Sequence, residues 1–214
     1  MTIIEQSIAF GRETFILTNQ RAVFWPAQRA LLLSDLHLGK AAHFRKNGIA
    51  LPTQVTVQDL QRLKALIDHY EPAQVIVVGD LLHAGANTEL RLLKELIHPY
   101  TTTRFILIKG NHDRFPDYAL QDMGIHPVHP ALHIEGIELV HQASADNGLY
   151  ITGHIHPGVS LQFPDKRRLN LPCYVVTPNQ LILPAFSLFT GLDTRSVDKA
   201  VYYAFYEEGI FKIV

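Results

Sequence analysis

The chain has 214 residues, of which 47% are hydrophobic and 18% charged, with a formal net charge of −1 and a sequence pI near 6.9. This length can bury about 70% of the unfolded surface in a true core. The apolar content excludes disorder as the main state, and no run of about 20 apolar residues offers a membrane span. A near-neutral chain is not one that grips nucleic acid by charge alone. The lone cysteine, Cys173, excludes an internal disulfide framework and fits a reducing compartment. Met1 to Gln6 shows no basic region leading into an apolar stretch, so a cytoplasmic protein without a secretory signal is expected. Twelve histidines are the unusual feature, because histidine is the commonest metal ligand and acid–base residue near neutral pH.

Taken in chain order, Ile3 to Trp25 reads as strands. Short apolar runs then end repeatedly in residues capable of chemistry. Ala30-Leu31-Leu32-Leu33-Ser34 leads into Asp35-Leu36-His37, and Val75-Ile76-Val77-Val78 into Gly79-Asp80. Phe105-Ile106-Leu107-Ile108 leads into Lys109-Gly110-Asn111-His112-Asp113. Ile137 to Val140 ends at His141, and Leu149 to Thr152 at Gly153-His154-Ile155-His156. Near-continuous apolar runs of this length predict strands buried on both faces. Between the first of them, Val55 to Tyr70 carries Leu60, Leu63, Ile67 and Tyr70 at helical spacing, after a start signal at Thr53. Thr88 is placed to cap a helix over Glu89 to Ile97, and Asp117 to Met123 reads as a short helix closed by Gly124. The pattern is β-α-β-α-β to about residue 125. Beyond it, strands are expected at Val175-Val176, Leu181 to Leu183, Val201 to Phe205 and Ile210 to Val214, with Glu207-Glu208-Gly209 as the turn of a terminal hairpin. One domain over residues 1–214, with two sheets and helices outside, is the simplest architecture.

In open α/β sheets, ligands bind beyond the carboxyl ends of the strands. Asp35, His37, Asp80, Asn111, His141, His154 and His156 collect there: two carboxylates, one amide oxygen and four imidazoles. Oxygen and nitrogen donors without thiolate suit Mn, Fe, Zn or Ni. Seven donors exceed one four-coordinate site but suffice for two metals sharing a carboxylate. Asp35-x-His37 and His154-x-His156 share a spacing that lets each pair aim at one centre. Any one of these motifs alone is weak, and Asn111-His112-Asp113 alone could be turn chemistry. Five in order, each after an apolar run, are specific.

Together the motifs Asp35-x-His37, Gly79-Asp80, Gly110-Asn111-His112-Asp113, His141 and Gly153-His154-x-His156 resemble the signatures of the calcineurin-like metallophosphoesterases. The resemblance implies a four-layer α/β/β/α sandwich with a dinuclear centre at the strand ends. It implies that Asp35, His37, Asp80 and His156 hold one ion and Asp80, Asn111, His141 and His154 the other, with Asp80 as the bridge. His112 would be the acid near the leaving oxygen, with Asp113 orienting it, and a hydroxide bridging the two metals would attack phosphorus. Where many family members carry an acidic or amide residue and then arginine after Gly-Asp, this chain has Leu81-Leu82-His83. That histidine resembles one in the nuclease subunit of the double-strand-break-repair complex, which makes His83 a candidate second catalytic histidine. Lys40 and Arg114 are candidate phosphate-binding residues in place of the missing arginine.

Ala22 to Pro26, Asp35 to Ala42, Phe44-Arg45, Gly48-Ile49, Gly79 to Ala84, Gly153 to Pro157, Leu171-Pro172-Cys173 and Leu183 to Gly191 resemble the ligase-associated DNA-damage-response endonucleases, the PdeM family. That resemblance implies a manganese-dependent phosphodiesterase or endonuclease acting on DNA, with single-stranded DNA expected. It also implies an association in repair with an ATP-dependent DNA ligase, a helicase and an exonuclease. Lys166-Arg167-Arg168, and Lys40 with Arg45 and Lys46, are basic clusters that could contact phosphates. Phe44 and Tyr150 could stack on bases, with core packing the plainer reading of both. The alternative keeps the fold and changes the substrate to a small phosphomonoester or nucleotide. A decayed, non-enzymatic site would lack ligands, and all seven are present. His43, His69 and His98 are expected at the surface, and His126, His129 and His133 in loops or at a sheet edge.

Overall fold

The computed structural model describes residues 1–40, 44, 48, 54–83, 87–143 and 148–213. A seven-stranded sheet runs in simple chain order: β1 (Glu5–Phe10), β2 (Glu13–Thr18), β3 (Val23–Trp25), β4 (Ala30–Leu33), β5 (Gln74–Val78), β6 (Arg104–Ile108) and β7 (Ile125–His129). β1 to β4 pair antiparallel and β4 to β7 parallel. Helices α1 (Gln54–Tyr70), α2 (Asn87–Ile97) and α3 (Asp117–Gln121) lie in the crossovers. The helix over Val55 to Tyr70 is borne out. α2 starts at Asn87, so Thr88 falls in its first turn instead of ahead of it. The start signal at Thr53 lies outside the described residues, as do His43, Arg45, Lys46 and Ala84.

The second sheet is built from β8 (Ala131–Ile134), β9 (Ile137–Val140), β10 (Leu149–Thr152), β11 (Gly158–Gln162), β12 (Arg168–Val176), β13 (Gln180–Ile182), β14 (Val201–Tyr206) and β15 (Gly209–Ile213). Its order is β15-β14-β12-β13-β10-β9-β8, with β11 pairing to β12. The terminal hairpin turns where expected. His126 and His129 lie on β7 and His133 on β8, each an edge strand of its sheet. β11 and the first half of β12 were not legible as strands, because β11 offers only Val159 and Leu161 as apolar residues and residues 162–170 are exposed and carry no apolar run.

Period-two alternation sorts the buried strands between two cores. Leu31, Leu33, Val75, Val77, Phe105 and Leu107 face the helices and meet Leu60, Leu63 and Ile67 of α1 and Leu93 and Ile97 of α2. Ala30, Leu32, Ile76, Val78, Ile106 and Ile108 point the other way, into a layer shared with Ile137, Leu139, Ile151, Tyr174 and Phe205 of the second sheet. Each fully buried aliphatic side chain contributes about 1.5–3 kcal/mol, so three central strands loaded on both faces fix the stack. Two large buried side chains within it place their polar atoms on partners: Tyr174 Oη donates to the carbonyls of Thr18 and Ala22, and Trp25 Nε1 to Glu13. The result is the expected α/β sandwich of two mixed sheets. Its outermost apolar cluster, around Cys173, Val175, Ile182 and Ala204, is covered by Ile155, Val159, Val197 and Ala200. No helix among the described residues is long and apolar enough to cross a membrane.

Candidate metal centre

The β4–β5 ladder does not stop at the strand ends. Asp35 N–H donates to Gly79 O (3.0 Å), His37 N–H to Asp80 O (2.9 Å), Leu38 N–H to Leu81 O (2.9 Å) and His83 N–H to Leu38 O (2.7 Å). The first two motifs are thus zipped together by their main chains, and their side chains are forced to one end of the sheet. From the other sheet, Gly153 N–H donates to His141 O (3.1 Å) and His154 N–H to Asp35 Oδ2 (3.0 Å), which ties the last two motifs to the first.

The backbone at these positions is in the left-handed region: φ is 54° at Asp35, 48° at His37, 51° at Asp80, 73° at His154 and 50° at His156. Such conformations cost of order 1–3 kcal/mol each in non-glycine residues and persist where the surroundings enforce them, as at functional sites. Gly79 has φ 84°, and a Cβ there would overlap the His141 ring, so only glycine allows that imidazole to lie against the second motif.

Two ligand groups result. Asp35, His37 and His156 bring one donor atom each to within 4.8 Å of one another, and so do Asp80, His141 and His154. The groups adjoin: Asp35 Oδ1 lies 3.1 Å from His156 Nε2, 3.8 Å from His37 Nε2 and 4.0 Å from His141 Nε2. His141 Nε2 is 3.4 Å from Asp80 Oδ2 and 3.2 Å from His154 Nδ1, and His37 Nε2 is 3.3 Å from His156 Nε2. Asp35, His37, Asp80 and His141 are buried. Asp35 Oδ1 and His37 Nδ1 are buried without a hydrogen-bond partner. A buried carboxylate oxygen and converging imidazole nitrogens, with no donor between them, form a donor set that fits divalent cations.

Charge and burial compete here. Burial pushes Asp80 up, but the His141 ring, the His112 N–H and the charges of His141 and His37 hold it well below the usual carboxylate range. Burial opposes the ionised form of Asp35 too, and His156, His141 and the Ser34 hydroxyl outweigh it. Burial and then the charge of Lys40 push His37 down to about 4, keeping its imidazole neutral. Burial lowers His141, while its bond to Asp80 and the charge of Asp35 leave it above the ordinary histidine value.

Asn111 stands exposed between Gly110, which passes against the Asp80 carboxylate, and His112, whose N–H donates to Asp80 Oδ1 at 2.9 Å. The rings of His37, His83 and His112 cluster, with centroids 6.4 Å (His37–His83), 5.8 Å (His37–His112) and 5.2 Å (His83–His112) apart. Asp113 differs from expectation. Its carboxylate takes the N–H of Leu82 and of Gly110, each at 2.9 Å, and not the His112 imidazole. The reason is geometric: the turn over 110–113 folds the buried carboxylate back onto main-chain donors. Asp113 therefore clamps the loop bearing His112 to the loop bearing His83. Lys40 is half-buried, lowered by burial and raised by Asp35 and Asp80, which places it in the field of the centre. Arg114 is exposed on the same turn as His112. Tyr150 is core, and Phe44 packs edge-on against Phe189 at 5.7 Å.

Sequence reading missed the support behind the first motif. Arg62 is buried on α1, bonds Asp59 at 2.8 Å and the Phe186 carbonyl, and lies 4.3 Å from the Phe186 ring centroid. Phe186 N–H in turn donates to Ser34 O (2.7 Å) and Ser187 N–H to Asp35 O (3.2 Å). The signal was present as two charged residues, Asp59 and Arg62, inside an otherwise amphipathic helix.

No curated protein matches the chain. Among solved structures, the nuclease MPE of Pseudomonas putida superposes with a TM-score of 0.80 at 29% identity, over 94% of this chain and 96% of that one. The phosphoesterase Yfce of E. coli superposes with a TM-score of 0.40 at 14% identity, over 86% of this chain and 97% of that one. The profile of the calcineurin-like phosphoesterases matches residues 28–184, which span all five motifs. With two adjoining ligand groups at the strand ends, the chain belongs to the calcineurin-like phosphoesterase family and is a metal-dependent phosphoesterase.

Proposed function

We propose that the protein is a phosphodiesterase acting as a DNA endonuclease, with single-stranded DNA as substrate and manganese as the working metal. The observation that carries the reading is the juxtaposition of the two ligand groups with a rim of two further histidines, His83 and His112. The likeness to a Pseudomonas putida nuclease over nearly the whole of both chains supports a nucleic-acid substrate. The sequence resemblance adds a place in DNA repair, beside a ligase, a helicase and an exonuclease.

Asp35, His37 and His156 would hold one divalent ion and Asp80, His141 and His154 the other, with Asp80 as the shared carboxylate and Asn111 completing the second. When bound, such a pair supplies an acidified water and positive charge on the phosphate oxygens. The chain does the rest. His141 sets its Nδ1 against Val78 O at 3.0 Å, which turns Nε2 toward the centre. His112 is held over the Asp80 carboxylate by its own N–H and is exposed, so its imidazole can deliver a proton to a leaving oxygen. His83 stands beside it as a second proton carrier or a contact to phosphate. Lys40 adds positive charge near the scissile group.

The test is incubation with circular single-stranded DNA and manganese beside an Asp80→Ala control. Linearisation that vanishes in the control supports endonuclease action. Intact circles, with a small phosphodiester hydrolysed, would move the substrate to small molecules.

A further inference from the structure

β11 and β12 form a hairpin whose place in the second sheet is set by register. Thr152, the last residue of β10, pairs with Ile182 of β13, and Ile182 pairs with Val175 of β12. β12 runs antiparallel to β13, so its earlier residues point toward the end of the sheet where β10 delivers His154 and His156. From Val175 back to Arg168 the strand continues past that level by about 23 Å, at ~3.3 Å per residue. The hairpin leaves the sheet at the Gly158–Pro172 pair and is paired out to Gln162–Arg168, so about 13 Å of it stands free of other strands. Two strand spacings, about 10 Å, separate it laterally from β10. It thus extends toward the end of the sheet that carries His154 and His156, and it starts two residues after His156.

Its tip is ordered and basic. Phe163 N–H donates to Arg167 O and Lys166 N–H to Phe163 O, both at 2.9 Å. Asp165 accepts from Arg167 N–H (3.1 Å) and Nε (2.5 Å). The Arg167 guanidinium lies 6.0 Å from the Phe163 ring centroid. Residues 162–170 are all exposed, including Phe163 at 42%. Cross-strand pairs put Ser160, Gln162, Arg168 and Asn170 on one face, while Val159 and Leu171 on the other pack against the outer apolar cluster. Three cations against one carboxylate at the tip contrast with a chain whose net charge is −1.

We infer that this hairpin is a strand-guiding arm for a single-stranded polynucleotide, with Lys166 and Arg168 on backbone phosphates and Phe163 stacking on a base. The inference rests on the nuclease reading above and names the surface by which that site would take a polymer. Charge complementarity favours a polyanion, and an exposed aromatic ring beside cations is a combination that single strands engage. A protein strand added along the β11 edge is the competing occupant.

The experiment uses the manganese-loaded protein and two variants, Phe163→Ala and Lys166→Ala/Arg168→Ala. Binding is read by anisotropy of a fluorescein-labelled, phosphorothioate-linked dT20, and turnover on bis(p-nitrophenyl) phosphate. Removing the ring should weaken binding roughly tenfold. Removing both cations should flatten the slope of log affinity against log salt by about 1.4. Turnover of the small diester should stay within about twofold of wild type, since neither variant touches the ligand groups. Unchanged affinity and salt slope would overturn the inference, as would an equal loss on the small diester. A wild type that binds dT20 through the arm and fails to cut single-stranded DNA would sink the nuclease reading and leave the arm standing.

Discussion

The two ligand groups are built from similar residues and are held in different ways. In the Asp80 group two of the three donors are fixed by the main chain. His141 is locked on Val78 O, Asp80 Oδ1 on the His112 N–H, and a glycine gives the His141 ring its room. In the Asp35 group, by contrast, Oδ1 and His37 Nδ1 have no hydrogen-bond partner. Three of its residues, Asp35, His37 and His156, have positive φ. Left-handed backbone occurs in both groups, at Asp80 and His154 as well, so the difference between them lies in the two unpartnered atoms of the Asp35 group. Preorganised donors lose less freedom on binding, so the Asp80 group should bind a divalent ion more tightly than the Asp35 group.

The largest effect expected is from Asp80→Ala, which removes the carboxylate proposed to be shared and the anchor of His112 together. Turnover should fall by roughly 10³-fold or more, the equivalent of several kcal/mol of transition-state charge stabilisation. Metal analysis of the purified variant should show loss at the Asp80 group; full occupancy of two ions would break the assignment.

Next is His112→Ala, with an expected loss of about 10²–10⁴-fold on alkyl leaving groups and little on p-nitrophenolate, which needs no proton. Equal losses on both would show that His112 does not act as the acid. Asp113→Ala should cost about 10–100-fold without changing metal content, because it loosens the loops bearing His112 and His83 instead of a ligand. Loss of metal along with activity would place Asp113 in the centre itself.

Calorimetric titration with manganese at pH 8 should resolve two unequal events. His141→Ala should erase the tighter and His37→Ala the weaker; the reverse would overturn the comparison. The smallest effect is the pH dependence of the gap. His37 is pushed down to about 4, so protons do not compete for it near neutrality. His141 is raised, so it gains a proton as pH falls from above the ordinary histidine value. The tighter event should therefore weaken more than the weaker one between pH 8 and pH 6, and isotherms at the two pH values measure this directly.

Much of the centre was legible in the chain because its ligands follow buried strands. Leu31 to Leu33, Val75 to Val78 and Phe105 to Ile108 declare themselves by apolar content, and whatever follows each must emerge at the same end of a parallel sheet. Asp113 was misread because spacing gives adjacency and not direction: the turn sends its carboxylate to Leu82 and Gly110. Asp59 and Arg62 were missed because their partners, Phe186 and Leu188, lie more than 120 residues away.

The sequence by itself determined the strand order of chemistry, the donor types and the family, since these depend on local apolar runs and on the residues that end them. Only the tertiary structure showed six of the seven donors gathered into two adjoining groups, and which of their atoms the main chain braces. It also decided that the basic hairpin runs toward the end of the second sheet at which His154 and His156 lie. Those outcomes depend on register between distant strands and on main-chain bonds across motifs, and neither leaves a local trace in the order of residues.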